Sequence, residues 1–366
     1  MKIDDLCQFD FALAPEQIAQ HPPAERDGGR LLRLERKTGR IEHSEIRDLP
    51  VLLHDGDLLV TNATRVLAAR LRGHKASGGA TEVLLIGPSE IEGRYRALIR
   101  HSGRLRAGCK YRLGTPALDA ELLSVDANGI GILGFEPGAD PYAVGETPLP
   151  PYIRREAAQQ EDEARYQTTY ARVSGSIAAP TAGLHLSDRL LAELQQRGIE
   201  RAEVILHVGL GTFRPLREQD LASHRLHAER FELPESTAEA IARTRARGGR
   251  VVAVGTTTTR VLETCATDDR NVRAGSGTTE LFLAPGDRFR AIDALLTNFH
   301  LPRSSLLLLI AAFAGRENVL AAYAEAVREG YRFYSYGDAM LIDGDSIRCD
   351  AMQHDRNSIS IEAAPC

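Results

Sequence analysis

The 366-residue chain has no apolar run long enough to cross a bilayer. Its most apolar stretch, residues 306–312, falls far short of the roughly 20 residues a spanning helix needs, so a buried helix is expected there. Met1-Lys2-Ile3-Asp4-Asp5 carries no apolar core of a secretory signal. A cytoplasmic protein with no membrane association is therefore expected. The five cysteines, Cys7, Cys109, Cys265, Cys349 and Cys366, lie far apart, odd in number and with no C-x-x-C pair. That argues against a cysteine-built zinc site and suits a reducing compartment. No internal period marks a solenoid or propeller. An excess of basic charge is also missing: the formal net charge is −5. A nucleic-acid partner would have to be gripped by one locally basic face.

What is present is ordinary for a globular protein, with 43% hydrophobic and 26% charged residues. The length exceeds one compact core and suits two domains. Residues 57–62 read as a buried strand ending at a polar turn. An all-β segment follows, with short strands at 82–86 and 95–99. Strands at 118–125 and 130–135 flank Asp126-Ala-Asn-Gly129, a strong hairpin signal. Short strands at this spacing suggest a small barrel or sandwich. Thr147-Pro-Leu-Pro-Pro-Tyr152 is a stiff connector. Beyond it the pattern turns α/β, with helices at 188–197, 236–247, 258–264, 304–314 and 317–329 and strands at 203–206 and 251–254. The expected division is a discontinuous α/β domain at 1–65 and 152–342, an inserted antiparallel β-barrel at 66–151, and a tail at 343–366.

Five segments carry chemistry. Ala178-Ala-Pro-Thr-Ala-Gly-Leu-His185 is a tight loop through which a ligand can approach backbone N–H groups. A plain turn before a helix has the same pattern. Leu206-His-Val-Gly-Leu-Gly-Thr-Phe213 places a histidine and two glycines after a strand, where α/β sheets bind ligands, although glycines also serve simple turns. His224-Arg-Leu-His-Ala-Glu229 suits acid/base or substrate-orienting work better than a metal, since nothing nearby supplies a fourth ligand. A solvated polar loop is the plain alternative. Val254-Gly-Thr-Thr-Thr-Thr-Arg260 runs from strand to glycine to helix start, a place for a carboxylate or phosphate, and lacks the Gly-Lys-Ser/Thr ending of a P-loop. In Leu295-Leu-Thr-Asn-Phe-His-Leu-Pro302, Asn298 and His300 fit a structural network as well as catalysis.

Taken together, these segments resemble the S-adenosylmethionine:tRNA ribosyltransferase-isomerase family. The match adds Phe9-Asp-Phe11 with Ile18-Ala-Gln20, Arg30-Leu-Leu32, Asn62 with Thr64-Arg65-Val66, the lead-in Gly175-Ser-Ile177, Ala312-Phe-Ala-Gly315 and residues 331–341, so that it runs from Phe9 to Ile342. Two positions depart from the family pattern: Ala63 stands where an aspartate is usual, and Gly29 where a serine is usual.

The resemblance implies an α/β domain with a small antiparallel β-barrel inserted near the N-terminal third. It also implies a reaction. The ribosyl part of S-adenosylmethionine is transferred to 7-aminomethyl-7-deazaguanine at the wobble position of tRNAs with a GUN-type anticodon, and is isomerised. The products are epoxyqueuosine-tRNA, adenine and methionine. The donor is a consumed substrate, so no cofactor and no metal are expected, and a monomer is assumed. The chemistry asks for a base at the ribose C5′ acidified by the sulfonium, an acid near the departing adenine, and an anchor for the methionine carboxylate.

Candidate catalytic residues are His185, His207, His224, His227 and Glu229. Candidates for the donor are Thr181, Gly183, Gly209, Gly255, Thr256, Thr257 and Arg260. Candidates for the base or tRNA are Asn62, Arg65, Asn298 and His300, with Arg104 and Arg106 in the most basic stretch of the barrel. Two other readings stand beside this one: a metal-dependent hydrolase using His224, His227 and Glu229, and a non-catalytic RNA-binding protein in which the barrel does the work.

Overall fold

The computed structural model describes residues 3–155, 160–209, 211 and 216–344. Thr212 and Phe213 of the second segment, and the expected tail from residue 345 onward, lie outside the described residues. After two short 3-10 turns come β1 (Arg30–Glu35), β2 (Ile41–Glu45), α1 (Leu49–Leu52), β3 (Leu58–Asn62) and β4 (Thr64–Val66). Next are β5 (Arg70–Lys75), β6 (Ala80–Pro88), β7 (Arg94–His101), β8 (Lys110–Leu113), β9 (Leu118–Val125) and β10 (Ile130–Phe135). Then follow α2 (Gln160–Arg165), β11 (Val173–Ser176), a 3-10 turn at Thr181–His185, α3 (Asp188–Gln196), β12 (Glu200–Leu206), α4 (Glu218–Ser223) and β13 (Arg225–Leu233). The chain continues through α5 (Glu235–Ala246), β14 (Val251–Val254), α6 (Gly255–Thr264), β15 (Gly275–Leu281), β16 (Ala294–Asn298), α7 (Ser305–Ala314), α8 (Arg316–Arg328) and β17 (Ala339–Asp343).

One sheet runs in the order β15-β13-β12-β3-β14-β16-β17-β1-β2. Its centre, β12-β3-β14-β16, is parallel throughout. A parallel sheet is covered on both faces, so its strands read as unbroken apolar runs. Val-Val-Ala-Val of β14 and Ala-Leu-Leu-Thr-Asn of β16 are buried end to end. Alternate residues divide between the faces. Leu58, Val60, Val251, Ala253 and Leu295 join the core beneath α7 and α8, whereas Leu59, Val252, Val254 and Leu296 join that beneath α1 and α3. Each such leucine or valine contributes about 1.5–3 kcal/mol by leaving water. No single described helix is long and apolar enough to cross a membrane, and α7 meets α8 at a bend of 116°. Leucine-rich α7 is buried in the core, as its composition suggests.

The α/β fold with an antiparallel barrel is thus present. β10-β7-β6-β5-β8-β9 closes on itself, filled by Leu71, Val83, Leu85, Tyr111, Leu113, Leu122 and Leu133. The β9–β10 turn forms because Asp126 Oδ1 accepts from the Asn128 and Ile130 N–H groups, while Gly129 takes φ +79°. Leaving and re-entering chains are held together where β4 pairs in parallel with β11.

Two local expectations change. Residues 224–229, read with a polar loop as the alternative, lie mostly on strand β13. Helix α6 begins at Gly255 rather than Thr258, and the Thr258 and Thr259 hydroxyls donate to the carbonyls of Val254 and Gly255 one turn back. Arg104 and Arg106, expected in the most basic stretch of the barrel, sit in the exposed loop between β7 and β8.

Candidate functional site at the carboxyl edge of the sheet

Parallel pairing sends β3, β12, β14 and β16 to the same edge, where α/β sheets bind ligands. Asn62 ends β3, His207 follows β12, Gly255 follows β14 and Asn298 ends β16. The Thr181–His185 turn lies across this edge: a Cβ on Gly255 would stand 3.4 Å from Ala182 Cβ. Gly255 itself takes φ +86°, a left-handed conformation natural to glycine.

Asn62 is buried and fully engaged. Its Oδ1 accepts from the N–H groups of Thr64 and Leu206, each at 3.1 Å. Its Nδ2 donates to the Leu206 carbonyl at 3.0 Å and to Thr257 Oγ1 at 3.3 Å. This residue clamps β3, β12 and the start of α6 together and has no donor or acceptor left for a base. No side chain caps the N-terminus of α6. Thr256 is buried but makes no side-chain hydrogen bond among the described residues.

His207 is half-buried, with its ring laid on the backbone of Gly175, where a Cβ would come within 2.7 Å of Cε1. Its Nδ1 is 2.9 Å from Thr64 Oγ1, and its Nε2 has no partner among the described residues. Burial, helped by Arg230, holds its pKa below the usual histidine range, so it is neutral near pH 7. Thr64 lies in a matched motif, yet sequence reasoning gives it no role. The signal for it is weak, since only the fold brings it to His207.

Glu229 is buried on β13. Its Oε1 accepts from Gly209 N–H at 2.8 Å, and its Oε2 pairs with Arg260 of α6. Arg260 also donates Nε to the Leu281 carbonyl at 3.1 Å, while Nη2 has no partner among the described residues. His227 is exposed and faces the same loop, where a Cβ on Gly211 would stand 3.3 Å from its own Cβ. His224 points elsewhere: at φ 54° it caps α4, and its Nε2 meets Asp287 at 3.1 Å. His224, His227 and Glu229 therefore do not converge, and no group of three His, Cys, Asp or Glu among the described residues is placed to hold a metal ion.

The other histidines are enclosed. His185 Nε2 accepts from Asn298 Nδ2 at 3.1 Å, and burial pushes its pKa down to about 4. His300 Nε2 lies 2.9 Å from Thr297 Oγ1, and burial pushes its pKa down to about 3. Asn298 Nδ2 also donates to the Tyr334 carbonyl at 3.0 Å, leaving Oδ1 buried without a partner among the described residues. Gly183 lets the Tyr170 hydroxyl approach to within 2.2 Å of where a Cβ would be. Thr181 opens that turn and is partly exposed. Arg65 projects outward and donates to the Ala171 carbonyl at 2.5 Å.

Comparison with known proteins shows the family. Residues 6–342 match the family described as queuosine biosynthesis protein. The S-adenosylmethionine:tRNA ribosyltransferase-isomerase of Moorella thermoacetica is 52% identical over 341 residues, covering 92% of this chain and 98% of that protein. The protein of the same name from Anaeromyxobacter sp. strain K is 53% identical over 344 residues, covering 92% and 99%. A crystal structure of S-adenosylmethionine tRNA ribosyltransferase from Thermotoga maritima is 38% identical with a TM-score of 0.54, covering 92% of this chain and 99% of that one.

Proposed function

The chain belongs to the queuosine biosynthesis protein family, and from that premise we propose that it is an S-adenosylmethionine:tRNA ribosyltransferase-isomerase. The observation that carries this reading is the meeting of four matched segments at one carboxyl edge: Asn62, His207, Gly255 to Thr257, and Asn298. The donor is S-adenosylmethionine and the acceptor 7-aminomethyl-7-deazaguanine at the wobble position of a GUN-type tRNA. Epoxyqueuosine-tRNA, adenine and methionine are the products.

The uncapped N–H groups opening α6, with Thr256 and Thr257 beside them, suit the methionine carboxylate. His207 is neutral with Nε2 open, which suits proton removal at C5′. His227 faces the same loop from β13 and suits the second proton transfer, toward the departing adenine. Glu229 and Arg260 are assigned to holding that loop, since each oxygen of Glu229 is already occupied. Asn298 Oδ1, buried without a partner among the described residues, suits an amino group of either base. His185 and His300 belong to the supporting network. The protein works in the cytoplasm as a monomer with no cofactor beyond the consumed donor.

The test is to incubate the full chain with S-adenosylmethionine and precursor-bearing tRNA. Free adenine and methionine should appear together, with donor-derived ribose on the tRNA. Binding of tRNA without adenine release would leave only an RNA-binding protein. Activity abolished by a chelator, with no adenine formed, would favour a hydrolase.

A further inference from the structure

Several buried guanidinium groups among the described residues face a carboxylate. Arg155 meets Asp162 at 2.6 Å, Arg250 meets Asp57 at 2.6 Å and Arg33 meets Asp343 at 3.0 Å. Arg26 and Arg165, each only half-buried, do not. Arg26 donates Nη2 to the Ala164 carbonyl at 2.7 Å and Nη1 to the Leu184 carbonyl at 3.4 Å. Arg165 donates Nη1 to the Ala24 carbonyl at 3.0 Å and Nη2 to the Pro23 carbonyl, and its buried Nε has no partner among the described residues.

Of the carboxylates close by in sequence, Glu25, Glu161 and Glu163 form no ion pair with either arginine among the described residues, and two others are already taken. Asp27 is turned to Ser187 and Arg189, and Asp162 to Arg155 and Tyr336. Burial, and then the positive charge of Arg165, lowers the pKa of Arg26, with Asp188 opposing from beyond contact. Two like charges are thus held together, partly out of water, with no counter-charge in contact among the described residues.

Both side chains line a narrow cleft with Pro22, His185, Ser335 and Tyr336 that has room for no more than a water molecule, so a larger anion would rest at its mouth. The cleft adjoins the carboxyl end of β16. His185 is bonded to Asn298, and Ser335 directly follows Tyr334, whose carbonyl accepts from Asn298. We propose that Arg26 and Arg165 form an oxyanion subsite that takes one backbone phosphate of the tRNA beside the modified nucleotide. The inference rests on the function proposed above. Planar guanidinium forks with spare N–H groups match phosphate oxygens. The donor's carboxylate, the other oxyanion at hand, already has its place at the start of α6.

The experiment measures tRNA binding by the full chain across a salt series for wild type, Arg165→Gln and Arg165→Lys, with adenine release assayed in parallel. Arg165→Gln should weaken tRNA binding and flatten the log–log salt dependence by roughly one unit for each phosphate no longer neutralised, while S-adenosylmethionine affinity stays put. Arg165→Lys should retain most of the slope. Ethylation interference on the tRNA with wild-type protein should pick out one phosphate in the anticodon loop, and this arm holds even if a variant fails to fold. An unchanged slope in a folded Arg165→Gln protein, or no interfering phosphate, overturns the subsite and leaves both arginines as loop staples. Lost donor affinity with an unchanged slope also overturns it, in favour of the methionine carboxylate. Wild type that binds tRNA but releases no adenine defeats the functional reading instead.

Discussion

At the scale of single residues, a histidine acts through what holds it. His207 is bonded through Nδ1 to Thr64 and lies on a glycine, which leaves Nε2 without a partner among the described residues. A positioned acid or base contributes about 10²–10⁴-fold in rate. Thr64→Val keeps the shape and removes the hydroxyl, so turnover should fall by about tenfold or more with little change in donor affinity. Thr64→Ser should recover it. Turnover at the wild-type level in Thr64→Val would show that the ring needs no such support. The enclosed histidines predict a pH effect on stability. His185 titrates at about 4 and His300 at about 3 in the folded protein, below the ordinary 6.5 of the unfolded chain. The unfolded state therefore binds these protons first. Stability is intact above 6.5 and is lost as pH falls from there toward 4, by about 1.4 kcal/mol per pH unit for each histidine. Urea unfolding between pH 7.5 and pH 5 checks this, and His300→Gln should remove one histidine's share of the slope. A slope unaltered in that variant would contradict the buried, neutral state.

At the scale of the element, α6 shows how one sequence run serves two purposes. Thr258 and Thr259 turn their hydroxyls back to the preceding carbonyls and disappear into the helix. Thr257 is claimed by Asn62, and only Thr256 is left without a partner among the described residues. A helix start interacts favourably with an anion by about 0.3–1 kcal/mol at exposed sites, and by more when partly buried. Thr256→Val should accordingly weaken S-adenosylmethionine binding several-fold and leave tRNA affinity intact. Equilibrium binding of each substrate to the variant checks both halves. Unaffected donor affinity would reduce Thr256 to a packing residue. Strand β13 makes the complementary point. It carries His227 and Glu229 to the same loop, while His224, just before the strand, is turned to Asp287.

At the scale of the whole molecule, a net charge of −5 has to coexist with an RNA partner. The barrel answers with exposed arginines: Arg94 and Arg96 project from β7, and Arg104 and Arg106 from the loop after it. Neither Arg104 nor Arg106 forms an ion pair among the described residues, whereas Arg112 of β8 lies 3.6 Å from Asp119. Replacing Arg104 and Arg106 with alanine should weaken tRNA binding, lower its salt slope by roughly one unit for each phosphate released, and leave donor affinity alone. Titration of tRNA at several salt concentrations measures this. If affinity and slope both stay at wild-type values, the barrel does not grip the tRNA through this loop.

Much of this protein was legible in its sequence because the governing forces are local. Alternation and unbroken apolar runs located β3, β9, β10 and β14, since strand burial is written residue by residue. Asp126 to Gly129 announces its hairpin through turn chemistry. Tertiary structure alone decided which side chains share a site. Parallel pairing of β12, β3, β14 and β16 brings distant segments to one edge, and no local pattern encodes that register. It spent the amide of Asn62 on internal bonds, tied Glu229 to Arg260, turned His224 away, and joined Thr64 to His207 and Arg26 to the neighbourhood of Arg165. The physical reason is that a hydrogen bond or a buried charge depends on the partner that folding delivers across the sheet, and the residue's own neighbours in the chain do not specify it.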